Sequence, residues 1–271
     1  MEILKFTKMV GAGNDFIIIE GEIKGLNALA KRLCDRKTGI GADGILALEE
    51  SKTADLRMRV FNADGSEAEM CGNGLRCAVL FKGIRRKVKV ETKAGIYEGE
   101  ITGENRVKAR MEEPKDLKLN IPLKVNTRKI KVHFVNTGVP HVVVFVSGID
   151  KIDVDAIGSA IRYHKEFKPK GANVNFVEIM DESNIKVRTY ERGVEGETLS
   201  CGTGSVASAI ITNHIRSIGK SAGMKQITDT EINVHTAGGV LKAGFKKILN
   251  EIRDVYLEGE TRVVFTGQVN L

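Results

Sequence analysis

One short phrase occurs twice in this chain of 271 residues: Cys71-Gly72-Asn73-Gly74 and, 130 positions later, Cys201-Gly202-Thr203-Gly204. The likeness extends on both sides. Upstream of the first cysteine stand Arg57-Met58-Arg59-Val60-Phe61 and the acidic loop Gly65-Ser66-Glu67-Ala68-Glu69. Upstream of the second stand Lys186-Val187-Arg188-Thr189-Tyr190 and Gly193-Val194-Glu195-Gly196-Glu197. Downstream, Val90-Glu91-Thr92-Lys93-Ala94-Gly95 is answered by Val234-His235-Thr236-Ala237-Gly238-Gly239. Three echoes in the same order imply a duplicated domain, and the length suits two domains of roughly 100–150 residues. The halves are placed at residues 1–116 and 117–271, with Glu112–Lys124 as linker and a last strand near 262–271 free to pack back on the first half.

Within this frame, alternating apolar runs predict strands. In the first half they fall at Ile3–Lys8, Asp15–Glu20, Leu56–Phe61, Lys87–Thr92, Ile96–Ile101 and Arg106–Met111. In the second they fall at Ile130–Val135, His141–Val146, Val174–Ile179, Ile185–Tyr190, Ile232–His235, Val240–Phe245, Val255–Glu258 and Arg262–Phe265. Helices are predicted at Leu26–Cys34 and Asp153–His164 and, after each Cys-Gly turn, at Asn73–Phe81 and Thr203–Ile215. Strands and helices do not alternate regularly, so the fold class is α+β rather than a doubly wound parallel sheet.

Bulk properties narrow the function. The net charge of +7 and the run Arg85-Arg86-Lys87-Val88-Lys89 raise nucleic acid as a partner, but aromatics are 5% and Trp is absent. No nucleic-acid-binding signature accompanies the basic run, which reads as a strand edge guarded by lysines. No apolar run approaches the ~20 residues a membrane helix needs. The N-terminal stretch carries Glu2 and Lys5 with no apolar core after it, so a cytoplasmic location is expected. Four cysteines are too few for a disulfide framework, and their spacing is not that of a zinc site. No cofactor or metal is expected.

A duplicated domain that places one cysteine in each half points to particular chemistry. Inverting a carbon that bears hydrogen requires removing a proton on one face and delivering one on the other, a task for a thiolate and a thiol facing each other across an interdomain cleft. The glycines after each cysteine admit close approach, and the helix that follows presents its positive end to a substrate carboxylate. The same field favours a thiolate. Cys34 and Cys77, outside the repeated phrase, read as inert buried residues.

These residues resemble the diaminopimelate epimerase family, whose members interconvert the LL and meso forms of diaminopimelate on the route to lysine and cell wall. The ordered pieces are Gly11-Ala12-Gly13-Asn14-Asp15-Phe16, Gly39-Ile40-Gly41-Ala42-Asp43-Gly44, Phe61-Asn62-Ala63-Asp64-Gly65-Ser66 and Met70-Cys71-Gly72-Asn73-Gly74. They continue with Pro140-His141, Asn173-Val174-Asn175-Phe176, Glu191-Arg192-Gly193 and Cys201-Gly202-Thr203-Gly204. The resemblance implies that Cys71 and Cys201 are the acid/base pair. It implies that Gly72, Asn73, Gly202 and Thr203 hold the reacting α-carboxylate and amine. Asn14, Asn62, Asn173, Glu191 and Arg192 become substrate contacts, Arg192 for the distal carboxylate, while His141 and Glu191 help polarise the thiols and the amine. It further implies a small amino-acid substrate, no cofactor and a homodimer.

Val139 stands where many members carry Asn, and Gly44 where some carry Gln, so two side-chain contacts of the family are absent here. The rival readings are a two-thiol racemase of proline, hydroxyproline or histidine, and a non-catalytic small-molecule binding protein. Proline-type relatives typically place His where Asn73 stands, which favours diaminopimelate.

Overall fold

A computed structural model describes residues 3–217, 227–249 and 251–270. The chain divides into two compact units, Met1–Arg110 with Glu258–Leu271, and Met111–Leu257. The first unit contains β1 (Ile3–Gly11), β2 (Asn14–Glu20), α1 (Leu26–Leu33), β3 (Gly44–Glu49), β4 (Leu56–Asn62) and β5 (Glu67–Ala68). It continues with α2 (Gly72–Lys82), β6 (Val88–Thr92), β7 (Gly95–Gly103) and β8 (Arg106–Arg110). The second contains β9 (Lys115–Val125), β10 (Arg128–Asn136), β11 (Pro140–Phe145), α3 (Val154–Arg162), β12 (Asn173–Ile179) and β13 (Asn184–Glu191). Then come β14 (Gly196–Thr198), α4 (Gly202–Ser217), β15 (Ile227–Thr236) and β16 (Gly239–Ile248). The last strand, β17 (Glu251–Asn270), begins in the second unit and ends in the first.

Strand pairing repeats step for step. In the first unit β1 is antiparallel to β2, β2 parallel to β3, β3 antiparallel to β4, and β4 parallel to β6, which turns back into β7. In the second, β10, β11, β12, β13, β15 and β16 follow with the same senses. The α+β, duplicated architecture is therefore present in the backbone as well as in the sequence.

Burial explains how each cysteine-bearing helix is held. Along β2, Phe16 and Ile18 join a core around Leu75, Ala78 and Val79 of α2, while Ile17 and Ile19 join a second core around Leu26, Leu29 and Leu33 of α1. Both faces of the strand are covered, hence its continuous apolar run. Helix α2 touches β1, β2, β3, β4, β6, β7 and β8, and its residues 73–79 are all buried. Helix α4 is likewise buried from Gly204 to Thr212. A helix buried all round is a central pillar wrapped by strands rather than a surface layer. No helix among the described residues is long and apolar enough to cross a membrane.

Two sequence expectations are corrected. Glu112–Lys124 is not a free linker, because its residues from Lys115 onward form β9, paired with β10. Its lysines, its Pro122 and the positive φ of Asp116 and Asn120 hide the strand signal, as they do at guarded and bulged edges. Strand β3 was missed, since Ile45-Leu46-Ala47-Leu48 is buried on both faces and shows no alternation. In addition, Val255–Glu258 and Arg262–Phe265 are parts of one strand, β17.

Candidate active site

In the first unit Cys71 is the N-cap of α2, with extended backbone (φ −141°, ψ 118°) and its Sγ accepting the Gly74 N–H at 3.4 Å. Its carbonyl accepts the Leu75 N–H at 2.8 Å, the first bond of the helix. Sulfur thus sits where the helix presents unpaired N–H groups, an environment that favours thiolate. Buried Asn73 donates through Nδ2 to Asn14 Oδ1 and accepts at Oδ1 from Arg76 Nη2. Asn14 in turn donates to Asp43 Oδ2 at 3.0 Å. Two predicted site residues, Asn14 and Asn73, are thereby brought into contact from β2 and α2.

Arg76, which the sequence reading passed over, is fully buried, and among the described residues its Nε and Nη1 find no hydrogen-bond partner. Burial pulls its guanidinium below the ordinary value, and the thiols of Cys77 and Cys71 oppose that shift. Cys77 is fully buried, 3.0 Å from Thr261 Oγ1, and burial pushes its thiol up to about 12. Burial raises the Cys34 thiol to about 11. Asn62 is exposed and turned into its own loop, donating to Ser66 Oγ at 2.9 Å, as a turn residue does. A cavity of about 180 Å³ in this unit is lined by Arg57, Met58, Arg59, Glu67, Ala68 and Lys93, and Cys71 is not among its lining residues.

In the second unit Cys201 immediately precedes α4, and its carbonyl accepts both the Ser205 N–H and the Ser205 hydroxyl at 2.9 Å. Its Sγ lies 3.5 Å from Thr203 Oγ1. Thr203 is fixed twice more, by His141 Nε2 at 2.9 Å from its hydroxyl and by the Thr137 hydroxyl donating to its carbonyl at 2.9 Å. His141 is fully buried, and burial, aided by the charge of Arg192, pushes its imidazole down to about 3, leaving it neutral at physiological pH. Asn175 Nδ2 lies 3.1 Å from His141 Nδ1. Asn173, buried on β12, accepts the Arg192 N–H at 2.7 Å. Burial raises the Glu191 carboxyl above its ordinary range, with Thr198 opposing. Among the described residues Glu191, the last residue of β13, and Arg192, the first of the turn that follows, form no ion pair; the Arg192 guanidinium reaches the Lys170 carbonyl at 3.5 Å.

The second unit therefore gathers His141, Cys201 and Thr203 into one bonded set, and Asn173 with Arg192 into another. The sequence reading missed Asn175, Thr189 and Thr137 as well as Arg76. Among the described residues no group of three or more His, Cys, Asp or Glu is placed to hold a metal ion.

The same fold is found in solved structures. A PhzF-family phenazine biosynthesis protein of Bacillus anthracis superposes with a TM-score of 0.75 over 100% of both chains at 17% identity. A probable proline racemase of Agrobacterium radiobacter superposes with a TM-score of 0.68 over 99% of this chain and 93% of the other, at 16% identity. The architecture is thus that of the PhzF and proline racemase class of duplicated folds. Sequence comparison is more specific. The diaminopimelate epimerase family profile matches residues 6–117 and 133–264. The chain is 42% identical to the diaminopimelate epimerase of Chlorobaculum tepidum over 97% of its own length and 100% of the relative's. It is 44% identical to that of Methanocella arvoryzae over 100% and 98%. The chain belongs to the diaminopimelate epimerase family.

Proposed function

We propose that this protein interconverts LL- and meso-diaminopimelate by proton transfer at the α-carbon between Cys71 and Cys201. One observation carries the reading: within a family-length match, each unit starts its buried central helix with a cysteine followed by glycine. A thiolate takes the α-hydrogen from one face, leaving a carbanion-like centre. The opposing thiol gives its hydrogen to the other face and becomes the thiolate, so protons balance and the roles exchange in the reverse direction. Negative charge developing on the α-carboxylate is met by backbone N–H groups at Gly72-Asn73 and Gly202-Thr203, where helix geometry leaves donors without internal partners. Arg192 serves the distal carboxylate. Asn14, Asn62, Asn173 and Glu191 serve the ammonium groups, and the work is done in the cytoplasm.

The test is incorporation of solvent deuterium at the α-position of diaminopimelate, followed by NMR. Cys71→Ala and Cys201→Ala are each expected to abolish inversion, whereas Cys34→Ala and Cys77→Ala retain it. A Cys201→Ala protein that still inverts the centre would overturn the two-base reading.

A further inference from the structure

Because the units repeat strand for strand, what lies beside each cysteine-bearing helix can be compared residue by residue. In the first unit the ladder sets Phe16 opposite Gly44 and Leu46 opposite Val60. In the second the equivalent ladder sets His141 opposite Asn173 and Asn175 opposite Thr189. Phe16, Leu46 and Val60 are ordinary apolar core. Their counterparts His141, Asn175 and Thr189 are just as buried, yet all three are polar. The helix glycines confirm the equivalence independently: a Cβ on Gly74 would meet Leu46, and a Cβ on Gly204 would meet Asn175.

Three polar groups in a core that apolar ones can fill are unfavourable unless each is bonded, and here the donors and acceptors determine one another. The Val142 carbonyl lies 3.1 Å from Asn175 Nδ2 and can only accept, so that atom is the amide nitrogen. The Thr189 hydroxyl then donates to Asn175 Oδ1 at 3.0 Å. The second N–H of Asn175 faces His141 Nδ1 at 3.1 Å, which must be the bare nitrogen. The imidazole proton is consequently on Nε2, donating to Thr203 Oγ1 at 2.9 Å. A threonine hydroxyl that accepts there keeps one proton to give, and Cys201 Sγ lies 3.5 Å away. The order is fixed from Thr189 to Asn175 to His141 to Thr203 to Cys201.

We propose that Asn175 and Thr189 are positioning residues of the epimerisation, locking His141 in its Nε2–H form so that the Thr203 hydroxyl is aimed at the Cys201 sulfur. No proton leaves the relay. Its effect is one additional hydrogen bond to the sulfur whenever Cys201 carries the negative charge, that is, after it has given its hydrogen to the substrate or before it takes one. The first unit has no such relay, since Phe16, Leu46 and Val60 cannot transmit a hydrogen bond. The proposal rests on the reading of Cys201 as an acid/base group.

The experiment is nitrogen NMR of the full chain labelled at histidine, with His141 assigned by the signal lost in His141→Gln. The expected wild-type pattern is protonated Nε2 and bare Nδ1; a protonated Nδ1 overturns the proposal. This readout uses no substrate, so it stands or falls separately from turnover of diaminopimelate, whose absence in the wild type would instead defeat the functional reading. The double variant Asn175→Leu, Thr189→Val installs residues of the types found in the first unit. It is expected to stay folded, to lose the single tautomer, and to lower kcat roughly 10- to 100-fold while KM moves by less than about threefold. Thr189→Ser, which keeps the hydroxyl, retains both the tautomer and kcat. A folded double variant with wild-type kcat overturns the proposal.

Discussion

Two glycines at equivalent places in the repeat, Gly74 and Gly204, are expected to respond very differently to the same added methyl group. A Cβ on Gly204 would lie 2.3 Å from Asn175 Oδ1, and a second contact, to Cys201 Cβ, would stand at 3.3 Å. Carbon and oxygen need about 3.3 Å, so the amide must retreat by roughly 1 Å. That retreat stretches the 3.0 Å Thr189 bond and draws Nδ2 from His141. Overpacking of this kind costs about 2 kcal/mol and each lost buried bond about 1 kcal/mol. Against this stands a gain of up to about 1 kcal/mol in helix propensity. The net expectation for Gly204→Ala is a loss of about 3 kcal/mol together with slower inversion. A Cβ on Gly74 would meet Leu46 Cδ2 at 2.9 Å, but that is the mobile tip of a leucine which can turn aside, and Cys71 Cβ lies at an ordinary 3.5 Å. For Gly74→Ala strain and propensity offset, and the change stays within about 1 kcal/mol. Urea titration followed by circular dichroism reads both as shifts in midpoint at constant slope. Equal losses in the two variants would refute the claim that a fixed polar group, rather than a movable apolar one, lies against α4.

Asp15 bonds Lys8 at 2.8 Å and Arg36 at 2.7 Å; burial alone would raise its carboxyl, but the bonds from Arg36 and Lys8 outweigh burial and hold it well below the usual range. Its folded value lies below the unfolded one, so its stabilisation is complete above about pH 4 and drains away as pH falls through the depressed value. Asp15→Asn, which strands the buried Lys8, is expected to lose on the order of 3 kcal/mol at pH 7 and to flatten the acid limb of the stability curve; an unchanged limb in urea titrations across pH would contradict this. Alkylation of the native protein with peptide mapping is expected to mark Cys71, which is part-exposed, well before Cys34 and Cys77, whose thiols are raised by burial to about 11 and about 12. Early labelling of Cys77 would refute the assignment.

The repeat, the two cysteines and the helices that follow them were legible because they are local: a phrase, its echo and a capped helix start. Strand β3 was hidden by burial on both faces and β9 by the lysines and proline of a guarded edge. The residues that support the cysteines were hidden for another reason. Thr189 is a normal strand residue, Asn175 sits in an alternating run, and Arg76 reads as a charge on a helix face, so none departs from its local pattern. A signal was nevertheless present in the echo itself. Val60-Phe61 in one half answers Thr189-Tyr190 in the other, and a polar residue that replaces an apolar one at a buried position of a repeat is there for its hydrogen bonds.

That divergence bears on why two cysteines placed by duplication need not be equivalent. Duplication supplies position, placing a thiol at the same point of each unit, on a helix end whose dipole favours negative sulfur. What surrounds each sulfur differs between the units. Beside Cys71 the added element is a buried guanidinium, Arg76, whose counterpart after Cys201 is Val206. Beside Cys201 it is the neutral chain from Thr189 to Thr203, whose counterparts along β2, β3 and β4 are apolar. A cation stabilises a nearby thiolate over several ångströms, whereas a neutral relay acts only through the bond it aims. The two sulfurs therefore stand in different surroundings, with a buried charge on the helix that follows Cys71 and an aimed hydroxyl 3.5 Å from Cys201.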